Sequence, residues 1–231
     1  KCRGRRGEGL CKRRRDSAIG MAQLVEQSAL RRAFFVLRGE GAVIAAKMAI
    51  EDAGGKILGK PIEIISSDHQ NKADIAANKA REWFDTQKVD MIAELLNSAV
   101  GLAVQEVGKQ KKRITMNSGA AASRLTGSDC SPYGVHWTYD TYALSNGTGK
   151  AMVKQGGDTW YFLTADYAFG KNLEKDTTAV VKANGGKVLG SVLHPLSSSD
   201  FSGYLLQAQA SKAKVIGLAN AGGDTINSVK Q

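Results

Sequence analysis

The stretch TADYAFG (164–170) puts two large aromatic side chains, Tyr167 and Phe169, in the short turn between the apolar run TWYFL and a segment with helical spacing, KNLEKDTTAVVKANGG. Aromatic rings gain most from burial in a core, so rings held at a strand-to-helix turn point either to a surface that receives a ligand or to packing at the lobe's rim. Side chains two apart in an extended turn project to the same side, which lets both rings face one molecule while Ala168 points back. The other residues with binding chemistry sit at equivalent exits from apolar runs: SSDHQ (66–70), LLNSA (95–99), NSGAAAS (117–123) and NAGGD (220–224). In open α/β sheets, ligands bind outside the carboxyl ends of the strands. Two exits are expected to offer helix N-termini with free backbone N–H groups suited to a carboxylate, at Ser98 and along Gly119, Ala120 and Ala121.

None of these exits supplies a paired acid and base, so binding is better supported than catalysis. The dinucleotide pattern GxGxxG is absent. SNGTGKA (145–151) fails as a phosphate loop, because Leu144 stands where the first glycine is required and Ala151 where Ser or Thr is required; it reads as the first turn of a helix. There is no GxSxG elbow. His69, His136 and His194 are far apart in sequence, with no HExxH or cysteine partner, and read as surface or satisfied structural residues. Asp68 and Asp74 flank a strand exit, where N-capping is expected. Cys2, Cys11 and Cys130 form no CxxC and no even set, so neither a metal centre nor a disulfide framework is expected.

From Gly41 onward, strands and helices alternate. GAVIAAKMAIEDA carries an apolar stripe at helical spacing and is closed by Gly54-Gly55; PIEIIS is a strand; DIAANKAREWFDTQ shares Ala76, Ala80, Trp83 and Phe84 on one helical face. VDMIAEL and RITMN are strands around a helix capped by Asn97 or Ser98. After an irregular stretch (118–136), the alternation resumes with helix 141–155, strand 159–163, helix 170–184, then KVLGSVL, DFSGYLLQAQASK, KVIGLAN and TINSVKQ. The pattern implies α/β architecture with two doubly wound, parallel-sheet lobes, 39–138 and 139–231, and a ligand cleft between them.

The net charge of +10 would suggest a nucleic-acid partner, but it is unevenly placed. Residues 1–38 hold 11 of the 32 Lys and Arg and 3 of the 22 Asp and Glu, which leaves 21 against 19 for the rest. No apolar run reaches the roughly 18 residues of a membrane span. KCRGRRGEGLCKRRRD has no apolar period, and SAIGMAQLVEQSALRRAFFVLRGE could at best form a ragged helix or a short strand at AFFVL (33–37); Glu26, Arg31 and Arg32 interrupt any secretory signal. Residues 1–38 are therefore expected to stand outside the native fold.

GAVIAAKMAIEDAGG, LLNSAVGLAVQEVG, CSPYGVHWTYDTYALSNGTG, TADYAFG and DFSGYLLQAQASKAKVIGLANAGGD, in this order, resemble the periplasmic solute-binding proteins of branched-chain-amino-acid-type ABC transporters, the leucine/isoleucine/valine-binding-protein-like type I family, over residues 39–231. The resemblance implies a non-enzymatic protein whose two lobes, joined by a three-segment hinge, close on a small solute in the periplasm and deliver it to a membrane permease. Amino acids, amides, urea and aromatic acids all occur as ligands in the family. Carried over by position, it implies ligand contacts from Asn97, Ser98, Ser118, Gly119, Ala120, Ala121, Asp140, Tyr142, Tyr167, Phe169, Asn220 and Asp224, with no cofactor. The same bilobal module also serves as the sensing part of receptors and regulators, which is the alternative role.

The family normally begins with a strand and a Ser/Gly turn before the helix at Gly41, and continues past Gln231. The resemblance thus implies a chain incomplete at both ends. Residues 1–38 read as a wrong-frame translation of that first strand, since GC-rich codons for VEQSALRRAFF shifted by one base give a Ser-rich peptide. A first lobe lacking its first strand would have an open sheet, poor stability and a tendency to associate.

Overall fold

The computed structural model describes residues 32–36 and 40–231. The chain forms two compact units, one comprising residues up to Ala120 with Arg124–Thr138, the other Ala121–Ser123 with Tyr139–Gln231.

In the first unit the elements run β1 (Arg32–Val36), α1 (Glu40–Asp52), a small antiparallel pair β2 (Lys56–Ile57) and β3 (Lys60–Pro61), β4 (Glu63–Ser67), α2 (Ala73–Asp85), β5 (Met91–Glu94), α3 (Ser98–Lys111), β6 (Ile114–Asn117) and β7 (Gly134–His136). Five strands form a parallel sheet in the order β4-β1-β5-β6-β7. The stripe Ala76, Ala80 and Trp83 on α2 is buried against Ile92, Val100 and Val104. These positions recur at i, i+4 and i+7, so one face of the helix meets the core at every turn. α2 starts after Lys72 with no side-chain cap, and Asp68 Oδ1 instead accepts from Gln70 N at 2.7 Å. Neither Asp68 nor Asp74 therefore caps it.

The expectation that residues 1–38 stand outside the fold does not hold for Arg32–Val36. β1 pairs with β4 from Arg32↔Glu63 to Val36↔Ser67 and with β5 from Ala33↔Met91 to Val36↔Glu94. A strand flanked on both sides in a parallel sheet reads as a continuous apolar run rather than as an alternation, which is why AFFV gives no period-2 signal. Because β1 occupies the position expected to be vacant, the stated reason for an open, associating sheet disappears. The rest of that basic segment, 1–31 and 37–38, lies outside the described residues.

In the second unit the elements are α4 (Thr141–Lys154), β8 (Thr159–Ala165), α5 (Ala168–Ala183), β9 (Lys187–His194), α6 (Ser202–Ala210), β10 (Val215–Ala219) and α7 (Gly223–Lys230). Three parallel strands are ordered β10-β8-β9. Alternate residues of β8 supply both faces: Trp160 and Phe162 pack with Val181 of α5, and Leu163 packs with Phe201, just before α6, and with Ala208 of α6. SNGTGKA lies in the middle of α4, not in its first turn, because Asp140 starts the helix one turn earlier by accepting from Ala143 N at 2.8 Å. Asp176 on α5 fixes the short 121–123 segment: its Oδ2 accepts from Ser123 Oγ at 2.7 Å and Thr141 Oγ1 at 2.6 Å, while Thr141 N donates to Ala121 O at 2.8 Å.

Candidate functional site

In the first unit the predicted residues gather at the exits of β5 and β6. Asn97 is the N-cap of α3, its Oδ1 accepting from Ala99 N at 2.8 Å and Val100 N at 3.3 Å. Two of the N–H groups expected to be free for a carboxylate are thus already used, and Ser98 is buried. Ser118 is tied to β5: its N donates to Glu94 O at 3.0 Å and its hydroxyl to Glu94 Oε2 at 2.6 Å. Glu94 and Leu95 both take left-handed conformations, with φ of 79° and 59°. Consecutive non-glycine residues in this region store strain of order 1–3 kcal/mol each, a feature that concentrates at functional sites.

The Gly119–Ala121 run opens no α-helix, contrary to expectation; irregular chain leads from it into a single 3-10 turn at Ser123–Leu125. Ala120 and Ala121 are buried, and His136 Nε2 lies 2.7 Å from Ala120 O. Alanine and glycine are used here because the chain runs close to its neighbours. A Cβ on Gly119 would lie 2.8 Å from Leu96 Cα. Behind this loop, buried Gln105 donates from Nε2 to Leu125 O at 3.0 Å and Asp129 O at 2.8 Å.

In the second unit, Tyr167, Phe169, Asn220 and Asp224 converge at the exits of β8 and β10. The turn after β8 is two residues long because α5 begins directly over the strand ends: a Cβ on Gly170 would overlap the carbonyl oxygen of Ala165 and lie 2.8 Å from Ala219 O. Tyr167 and Phe169 are half-buried, with ring centroids 5.9 Å apart. Asn220 and Asp224 are buried. Asp224 Oδ2 accepts from Ser197 N at 3.2 Å, whereas Oδ1 is buried and meets no hydrogen-bond donor among the described residues. The Tyr167 hydroxyl is pushed up to about 12, first by burial, then by the negative charge of Asp224 and by Tyr139. It therefore stays a neutral donor at physiological pH rather than acting as a base.

Asp140 and Tyr142 stand at the start of α4, where Asp140 serves as N-cap and the Tyr142 side chain is exposed. Trp137 and Tyr139, which precede Asp140, are strongly exposed. Among the described residues no group of three His, Cys, Asp or Glu could hold a metal ion, and no helix is long and apolar enough to cross a membrane.

Residues 35–231 match the model of the family described as periplasmic binding protein. The chain belongs to that family. Its architecture is that of the type I periplasmic binding proteins, α/β with parallel sheets. This periplasmic binding protein is similar to a solved periplasmic binding protein from Burkholderia mallei, with 57% identity and a TM-score of 0.84 over 87% of this chain and 56% of that one. It is also similar to a branched-chain amino acid ABC transporter periplasmic ligand-binding protein from Burkholderia xenovorans LB400, with 36% identity and a TM-score of 0.69 over 87% of this chain and 55% of that one. A Leu/Ile/Val-binding protein homolog from Brucella abortus is 27% identical over 187 residues, 77% of this chain and 44% of that protein. The chain thus spans about half the length of these relatives. The family is one of transporter solute-binding proteins, not a class of enzymes.

Proposed function

We propose that this chain belongs to a periplasmic receptor that captures an amino acid and delivers it to the membrane permease of an ABC transporter, without chemically altering it. The observation that carries this reading is the buried Asp224 Oδ1, which meets no donor among the described residues, near the neutral Tyr167 hydroxyl. A buried acceptor without a partner costs about 1–3 kcal/mol, more when charged, and an α-ammonium group would supply the missing donor with a charge-assisted hydrogen bond. The rings of Tyr167 and Phe169 suit the remainder of an aliphatic amino acid. A small aromatic acid, which brings a second carboxylate to Asp224, fits this corner less well. The names of the B. xenovorans and B. abortus relatives, branched-chain amino acid and Leu/Ile/Val-binding, support the same class. The other candidates, Asn97, Ser98, Ser118, Gly119, Ala120, Ala121, Asp140, Tyr142 and Asn220, are proposed as further ligand contacts.

The test is a thermal-shift series on the 231-residue chain with L-leucine, L-isoleucine, L-valine and benzoate. A ligand held only by the folded state at about 100 times its Kd stabilises by about 2.7 kcal/mol. A rise in Tm with the amino acids and none with benzoate is expected; a response to benzoate alone contradicts the proposal.

A further inference from the structure

His194 closes β9 and is completely buried. Its Nδ1 lies 2.9 Å from Pro195 O, an atom that only accepts, so Nδ1 carries the proton and Nε2 is left as an acceptor. Nε2 lies 3.2 Å from Asn220 Nδ2, and Asn220 Oδ1 accepts from Thr225 Oγ1 at 2.8 Å. Thr225 follows Asp224, whose Oδ2 is held by the N–H of Ser197, three residues beyond His194. The exit of β9 therefore grips the 220–225 corner at two points. The imidazole is held edge-on against Phe201, with centroids 4.8 Å apart at 71°, so the ring itself has little freedom to turn.

We infer that His194 is a proton-sensitive positioning residue that sets which way the Asn220 carboxamide faces. In the neutral ring, Nε2 accepts, so Asn220 turns its NH2 toward His194 and its oxygen toward Thr225. When Nε2 takes up a proton from solvent it becomes a donor, and two donors then face each other. Rotating the carboxamide by a half-turn presents Oδ1 to Nε2–H and Nδ2 to the Thr225 hydroxyl, which can accept as well as donate. Both hydrogen bonds of the carboxamide are re-formed after the half-turn, while the Thr225 hydroxyl proton gives up Asn220 Oδ1 as its acceptor, which makes the pair a two-state element. The half-turn exchanges the donor and acceptor that Asn220 offers to anything bound beside Asp224, and it places a positive ring near that corner.

The titratable groups on the elements around His194 are Asp166, whose N–H donates to His194 O at 2.8 Å and whose carboxylate is paired with Lys171 at 2.6 Å, Asp200 and Tyr204 at α6, and Asp224 at α7. Asp166 and Asp200 are exposed, so their charges are screened by water, whereas Asp224 is buried. The consequence for ligands rests on the proposed function, because it takes Asn220 and Asp224 as contacts: an imidazolium opposes a bound ammonium, so acidification weakens amino-acid capture.

The test is 15N NMR of the full 231-residue chain, without ligand, from about pH 8 to about pH 5, the span in which histidine side chains ordinarily change charge. At the alkaline end, the His194 ring nitrogens are expected to report the Nδ1–H tautomer. On acidification, the Asn220 side-chain amide signals are expected to shift with the same midpoint as the His194 ring. In His194→Gln, whose Oε1 reaches the place of Nε2 as a permanent acceptor, the Asn220 signals stay fixed across the range. An Nε2–H tautomer at the alkaline end, a ring that never charges before the chain unfolds, or a ring that charges with no response at Asn220 each overturns the inference, and the wild type alone decides all three if the variant does not fold. A parallel titration with L-leucine is expected to show about tenfold weaker binding at the acid end. No leucine binding at any pH would count against the proposed function while leaving the Asn220 result to judge His194.

Discussion

The rings of Tyr167 and Phe169 lie with centroids 5.9 Å apart and planes inclined by 45°, on the two residues that bracket Ala168 at the start of α5. Both are half-buried, so each has a packed edge and an open one. If the open edges form a ligand wall, replacing either ring by Ala weakens binding of the transported amino acid by about 1–3 kcal/mol. The unliganded Tm then changes little. A purely structural role gives the reverse, because truncating a packed Phe costs about 3–5 kcal/mol of stability. Calorimetric titration beside unliganded melting curves separates the two.

Tyr167 also gives a pH dependence. Its hydroxyl titrates at about 12 rather than 10.0, so the folded chain holds this proton more tightly than the unfolded chain. The resulting stabilisation is complete below about pH 10 and is lost as the pH rises toward 12. Asp224→Asn removes one of the causes and brings the phenolate out at lower pH. Phenolate absorbance across an alkaline titration reads this directly, with Tyr167→Phe identifying the signal.

Gly170 is a position in the second unit where a Cβ would overlap backbone. Ala165 O and Ala219 O both belong to backbone fixed in the sheet, Ala165 by pairing with His194 of β9 and Ala219 with Thr164 of β8, so Gly170→Ala cannot be relieved by rotating a side chain. A loss of more than about 3 kcal/mol, at the upper end for single substitutions, is expected in chemical unfolding. Gly203→Ala, whose Cβ meets nothing within 4 Å, is the neutral control.

Much of this fold is readable in the sequence because β4, β5, β8, β9 and β10 are each followed by a helix, and the two periods are easily told apart. The predicted strand 159–163 and helix 170–184 became β8 (Thr159–Ala165) and α5 (Ala168–Ala183). β1 was not legible as a sheet member because its pairing is entirely non-local and its apolar run carries no alternation. β7 has three residues and depends on β6 for its register, so no local pattern marks it. At the site, the types of Tyr167, Phe169, Asn220 and Asp224 were legible from their place after apolar runs. That Asp224 has an oxygen with no partner among the described residues, that Glu94 and Leu95 are left-handed, and that His194 grips Asn220 all follow from tertiary contacts and leave no trace in spacing.

The loop behind Ser118 is held by two devices of unequal weight. Arg124 donates to both oxygens of Asp129, at 2.7 and 2.8 Å, and this pair holds the Asp129 carboxyl below the usual carboxylate range. Both side chains are substantially exposed, so removing the pair by Arg124→Ala is expected to cost no more than about 1 kcal/mol. Gln105→Leu leaves two carbonyl oxygens without their donor inside the unit, which costs about 2–4 kcal/mol. Urea unfolding of the two variants gives that order, and equal midpoints would contradict it.

The most direct test is calorimetric titration of L-leucine into the wild type and Asp224→Asn, with unliganded melting curves of both. Asp224 carries a buried oxygen that meets no donor among the described residues, and the ligand is proposed to supply one. Removing the negative charge is therefore expected to weaken leucine binding by about 1.5–3 kcal/mol, the scale of a hydrogen bond to a charged group, while the unliganded Tm stays level or rises as a poorly compensated buried charge disappears. Unchanged affinity for leucine in Asp224→Asn, together with a lowered Tm, would contradict the assignment of Asp224 to the ligand and return it to the framework of α7.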